Sequence, residues 1–150
     1  VRYNGRIGPG WTRNHGIQMA TTKWVSFLDD DDSVYEKYVE FLKEHDETYE
    51  NLDAVLFRIR HFKRHLDPLP GPDCKSIKKF HLGISFSLNV KMLRDCKLKF
   101  PMITPCEDFI LMHRIFESKR KILISGHVTY FVRHAKKKYD KYDDIIVCKT

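Results

Sequence analysis

The sequence predicts an α/β fold, a mostly parallel sheet flanked by helices. Three observations predict it. Apolar runs of strand length, Lys23-Trp24-Val25-Ser26-Phe27-Leu28 and Ala54-Val55-Leu56-Phe57, alternate with stretches of helical period. The first run is compact and β-prone, as a buried strand of a parallel sheet is. Two helix-start patterns, Ser33-x-x-Glu36 and Thr104-Pro105-Cys106-Glu107, match the capping box.

Taken in order, residues 1–10 read as a short extended piece running into a loop. Residues 12–22 predict a helix capped by Thr12, with Ile17 and Ala20 inward. Residues 23–28 form the first strand, which stops at Asp29-Asp30-Asp31-Asp32. Ser33 and Glu36 then open a helix over residues 34–45, with Val34, Tyr38, Phe41, Leu42 and His45 on one face. Residues 53–61 read as the next strand. Pro68, Pro70, Gly71 and Pro72 require a loop over residues 65–73.

A strand over residues 83–88 leads into a helical turn or short helix over 89–95. The Thr104 capping box, with Pro105 at the first helical position, opens a helix to about residue 118. Phe109, Met112, Ile115 and Phe116 face inward, and Lys119, Arg120 and Lys121 complement the dipole at its end. Residues 121–125 and 128–132 are the last strands. Residues 1–134 make one domain, and residues 135–150 a basic, loosely packed C-terminal tail.

An apolar fraction of 42% and a charged fraction of 31% suit a soluble globular chain able to bury a core. No apolar run reaches the roughly 18 residues a membrane helix needs, and no secretory signal opens the sequence. Cys74, Cys96, Cys106 and Cys148 are too widely spaced for a zinc pattern. They suggest reduced thiols in a cytoplasmic protein, with two disulfides as the alternative. The start at Val1 raises the expectation of a piece of something longer.

A net charge of +7 favours polyanionic partners: nucleic acid, anionic lipid or phosphorylated ligands. Lys136-Lys137-Lys138 with Tyr139 and Tyr142 can neutralise and stack on nucleic acid, or simply be a solvated tail. No nucleic-acid-binding motif accompanies them. His61, Lys63, Arg64 and His65 read as a solvated basic edge, while His81 and His127 are candidates to support a site.

The chemistry concentrates in two acidic motifs. Four adjacent carboxylates at the carboxyl end of a strand repel one another, at the end of an α/β sheet where ligands bind. Mg²⁺ or Mn²⁺ would relieve that repulsion and complete its shell with phosphate oxygens. An acidic loop feeding a helix N-terminus accounts for Asp32 and Asp31 without a metal, but not for Asp29. In the second motif, Glu107 is explained as a capping residue. Asp108 reads either as a dipole-favoured acid or as a general base for an acceptor hydroxyl.

Arg13-Asn14-His15-Gly16-Ile17, then Ala20, then the strand ending in Asp29-Asp30-Asp31-Asp32, resembles the core of the family 2 glycosyltransferases with the GT-A fold. Gly83-Ile84-Ser85-Phe86 resembles that family's glycine loop. Phe100-Pro101 followed by Glu107-Asp108-Phe109 resembles its xED segment, and residues 130–134 its Tyr/His stretch. The resemblance runs from Arg6 to His134 in the family's order.

It implies a GT-A-like, Rossmann-like catalytic domain that transfers sugar, with inversion, from a nucleotide-sugar donor, a UDP-sugar, to an acceptor hydroxyl. Asp29-x-Asp31 would be the DxD motif, with Asp31 on the Mn²⁺ or Mg²⁺ and Asp29 or Asp30 on ribose or metal-bound water. Asp108 would be the base, His134 would lie near the metal or diphosphate, and Arg6, Arg13 and Gly83 would approach the donor. Two features depart from the family pattern. The family's nucleotide-binding strand is not seen before Val1, so the domain is expected to be incomplete at its N-terminus. Val132 stands where the family usually has an Arg two residues before the His, with Arg133 adjacent. The competing readings are a basic nucleic-acid-binding module, a metal-dependent phosphoryl-transfer enzyme and a transferase remnant without donor binding.

Overall fold

The computed structural model describes residues 8–62, 68–71, 76–78, 82–102, 106–133 and 145–147. In chain order the elements are α1 (Pro9–Met19), β1 (Trp24–Ser26), β2 (Ser33–Val34), α2 (Tyr38–Thr48), β3 (Ala54–His61), β4 (Ser76–Lys78), β5 (Phe86–Asn89), α3 (Val90–Asp95), α4 (Glu107–Glu117), β6 (Ile122–Val132) and β7 (Ile145–Val147). The main sheet has five strands in the order β1-β5-β3-β6-β2.

The α/β class and the flanking helices are as the sequence predicts, but the pairing is mixed rather than mostly parallel. β3 and β6 pair in parallel, whereas β1–β5, β3–β5 and β2–β6 are antiparallel. The connections explain this. The path from β3 to β6 passes through α3 and α4, and a helical crossover delivers a parallel strand.

β3 shows how the sheet sorts its side chains. Ala54, Leu56 and Ile59 join a core with Phe86, Leu88, Met92, Leu93, Phe100, Phe109, Leu111, Met112, Ile115 and Tyr130. Val55 and Phe57 join Tyr38, Leu42 and Leu52 on the opposite face. Alternate residues of a strand face opposite ways. The register shift around Arg58 is what lets Leu56 and Ile59 share a face despite their odd spacing. α2 therefore covers one side, and α3 and α4 the other. Each fully buried Leu, Ile or Met contributes about 1.5–3 kcal/mol.

Several sequence expectations shift. α1 starts at Pro9, not at Thr12, with Gly8 in the N-cap position; proline's fixed φ and missing N–H suit the first helical position. β1 is a half-buried edge strand rather than a buried parallel one. The Ser33–Glu36 capping box does not form. Ser33 and Val34 pair with Phe131 and Tyr130 of β6, and α2 begins at Tyr38. Ladder pairing satisfies the backbone groups a cap would have served. The two last strands are one continuous strand, β6.

Asn89 is a true N-cap for α3, its side chain accepting the Met92 N–H at 3.1 Å. Three residues of the expected loose tail form β7, paired antiparallel with β4. Cys96 is a free thiol, while Cys74 and Cys148 lie outside the described residues, as do His65 and the Lys136–Lys138 run. No described helix is long and apolar enough to cross a membrane.

α1 is fastened where it positions the site. Asn14 donates to the Phe100 carbonyl at 2.9 Å and accepts from the Phe100 N–H at 2.8 Å. Gly10 lies so close to Pro101 that a Cβ there would sit 2.3 Å from its carbonyl oxygen. Arg94 caps the other end of α1, donating to the carbonyls of Ile17, Gln18 and Ala20.

Candidate functional site

The aspartate run follows β1 as a tight turn. The Asp32 N–H donates to the Asp29 carbonyl at 3.1 Å, the i to i+3 bond of a β-turn. The turn folds the run so that Asp29, Asp31 and Asp32 each bring one carboxylate oxygen within 4.8 Å of the others. Asp30, at a central position of the turn, is exposed and stands outside this group.

The trio fits a hard divalent cation. Mg²⁺-like ions hold oxygens at about 2.1 Å, which places neighbouring ligands about 3 Å and opposite ligands about 4.2 Å apart. The acids are partly exposed, which leaves room for further oxygens from a ligand.

Arg13 ties this loop to α4. One terminal nitrogen reaches the Asp29 carboxylate at 2.7 Å and the other reaches Glu107 at 2.6 Å. The side chains are 11% exposed for Arg13, 23% for Asp29 and 11% for Glu107, so solvent screens the pairs only weakly. Burial works against the Arg13 charge, but Asp29 and Glu107 outweigh it and hold the guanidinium above its ordinary pKa. The guanidinium also lies over the Phe100 ring at 5.5 Å.

Glu107, read from the sequence as a capping residue, places one carboxylate oxygen on Arg13. Thr104 and Pro105, the rest of that box, lie outside the described residues. Asp108 is the next residue, partly buried in the first turn of α4, with its carboxylate accepting the Phe109 N–H at 2.7 Å. The Arg13 bridge thus puts the start of α4 beside the aspartate loop.

Asp32 is held from the other side. Its carboxylate accepts the Arg133 N–H at 3.2 Å. Burial raises the Asp32 pKa most; the bond from Arg133 and the influence of the Tyr130 hydroxyl lower it, and the neighbouring Asp31 and Asp29 charges raise it again. Burial likewise pushes the Tyr130 phenol up, so it keeps its proton. Sequence reasoning named Asp29, Asp30 and Asp31 and left Asp32 to the helix start.

Gly83 lies in the turn before β5, where a Cβ would be 3.9 Å from the Ile59 side chain. Arg6 and His134 lie outside the described residues, as does His81. His127 is not with the acids. It stacks on Phe41 of α2 at 3.7 Å, beside His45.

The chain's similarities agree with this architecture. The family described as "Glycosyl transferase family 2" matches residues 1–117. Among solved structures, it is similar to the crystal structure of S. aureus TarS 1-349 (TM-score 0.69, 18% identity), covering 84% of this chain and 40% of that one. It is also similar to the same protein in complex with UDP-GlcNAc (TM-score 0.71, 17% identity; 88% and 40% covered). The complex with UDP gives TM-score 0.70 at 18% identity, with 85% and 40% covered. The chain thus spans about 40% of the length of those structures. No curated protein sequence matches it. The likeness is one of fold, the GT-A type, and the family match covers most of the sequence. The chain belongs to glycosyl transferase family 2.

Proposed function

We propose that the chain is the catalytic part of an inverting, metal-dependent glycosyltransferase that uses a nucleotide-sugar, a UDP-sugar, as donor. The observation that carries this is the convergence of Asp29, Asp31 and Asp32, tied through Arg13 to the turn that bears Asp108. The similar S. aureus TarS structures include complexes with UDP-GlcNAc and with UDP, and this supports a uridine nucleotide donor here.

In this reading Asp29 and Asp31 hold Mn²⁺ or Mg²⁺, which when bound would neutralise the donor diphosphate and make it a better leaving group. Arg13 keeps Asp29 in place, and Arg6, Asp30, Gly83 and His134 approach the donor or its metal. Glu107 is committed to Arg13, so Asp108 is the acid of that turn assigned to take the acceptor's proton. The acceptor oxygen forms a bond to the anomeric carbon as the bond to the diphosphate breaks on the opposite face. The configuration therefore inverts.

The test is release of UDP from UDP-sugars by the chain, with and without Mn²⁺. Loss of a general base typically costs 10²–10⁴-fold, so Asp108→Asn should fall by about 100-fold or more, and Asp31→Ala should do the same. Full turnover in both variants would refute the assignment.

A further inference from the structure

Resting on the metal-site reading above, we infer that Tyr130 is a positioning residue for that site: its hydroxyl locks the aspartate loop in the shape that receives the ion. Tyr130 is 1% exposed, among the largest fully buried side chains. Packing alone would be served equally by Phe. The hydroxyl is buried polar surface, and such a group is kept only where it is hydrogen-bonded.

Its geometric partner is the start of the acidic turn: it accepts the backbone N–H of Asp29 at 3.2 Å. The other end of the turn is held to the same strand, where the Asp32 carboxylate accepts the Arg133 N–H at 3.2 Å. The frame around it is rigid. Val34 pairs with Tyr130 and Ser33 with Phe131, the Tyr35 N–H donates to the Thr129 carbonyl at 2.8 Å, and the Arg133 N–H donates to Asp32.

The loop is thus clamped to β6 at Asp29 and from Asp32 to Tyr35, and Tyr130 is the β6 side chain in that clamp. Three carboxylates gathered this closely repel one another without an ion. A fixed backbone at Asp29 and a fixed side chain at Asp32 keep them gathered, so less ordering is left to be done when the ion binds.

Tyr130→Phe tests this, because it removes the hydroxyl and leaves the ring. Two readouts are needed: hydrogen exchange of the amides of residues 29–33 without metal, and Mn²⁺ affinity by electron paramagnetic resonance. Losing one buried hydrogen bond should speed exchange there about 10-fold and weaken Mn²⁺ binding about 5- to 10-fold, with the thermal midpoint still showing a folded protein. Unchanged Mn²⁺ affinity overturns the inference, even if exchange quickens. Slow exchange of the Asp29 amide in the wild type is also required, and fast exchange there overturns it however the variant folds. Wild-type protein that binds no Mn²⁺ overturns the metal-site reading and this inference together. Wild-type binding that Asp31→Ala abolishes and Tyr130→Phe leaves intact overturns the inference alone.

Discussion

Arg13 and Glu107, 94 positions apart in the chain, meet at 2.6 Å, and the second arm of the same guanidinium holds Asp29 at 2.7 Å. A helix near the start of the chain, the loop after β1 and the first turn of α4 therefore share one charge. Arginine suits this because its planar fork offers two donors in fixed geometry, which lysine lacks.

Removing that charge should be costly. Arg13→Ala leaves Asp29 and Glu107 facing each other with little solvent to screen them. Breaking a buried pair costs 3–5 kcal/mol; with Asp29 still 23% exposed, about 2–3 kcal/mol is expected. Arg13→Lys should recover part of it by serving one partner. Urea unfolding measures both, and a change below about 0.5 kcal/mol for Arg13→Ala would mean the bridge is solvated and unimportant.

Two glycines of α1 should respond oppositely to alanine. At Gly10 the added Cβ would meet the Pro101 carbonyl oxygen at 2.3 Å, whereas at Gly16 nothing lies within 4 Å. Overpacking of this kind costs about 1–3 kcal/mol, and α1 would be levered off the Phe100 segment. Gly16→Ala should gain about 0.5–1 kcal/mol from helix propensity. Thermal melts of the two variants would show the contrast, and equal shifts would count against this packing of α1.

The contrast also shows which parts of the fold are legible in the sequence. Residues 53–61 read as a strand because Ala54, Val55, Leu56 and Phe57 form an apolar run that Ile59 continues. Ser33 misleads because a capping pattern is local, while β6 arrives from far along the chain and takes its backbone groups. The parallel pairing was over-predicted, since apolar runs do not say which neighbour a strand will find.

At the site, the acidic run after β1 and the acids before Phe109 stand out in the sequence. Which aspartates converge is not legible, because it depends on the turn that joins the Asp29 carbonyl to the Asp32 N–H. The Glu107 capping pattern conceals an ion pair whose partner lies in α1. Tyr130 is a core residue, and the bond its hydroxyl accepts from the Asp29 N–H joins positions too far apart in the chain for a local pattern to show.

Stability should depend on pH through His45. Its ring accepts or donates a hydrogen bond with Ser125 at 2.8 Å, and it is packed near Phe57, Tyr49 and His127. Burial foremost, then the neighbouring His127, lowers its pKa from the ordinary 6.5, and Glu44 partly opposes them. A histidine whose folded pKa lies below the unfolded one binds more protons unfolded. Its contribution is then fully present above about pH 6.5 and is lost as pH falls through the folded value. The melting temperature of the wild type should drop between about pH 7 and 5 more than that of His45→Gln. Parallel pH profiles would contradict this.

The central claim is tested most directly by calorimetric titration of UDP into the chain with Mn²⁺ present. Saturable heat is expected with Mn²⁺, little without it, and little with Asp31→Ala even when Mn²⁺ is added. Equal binding of UDP by Asp31→Ala, or binding indifferent to Mn²⁺, would contradict the assignment of the Asp29–Asp32 turn as the site that holds the donor's diphosphate through a metal ion.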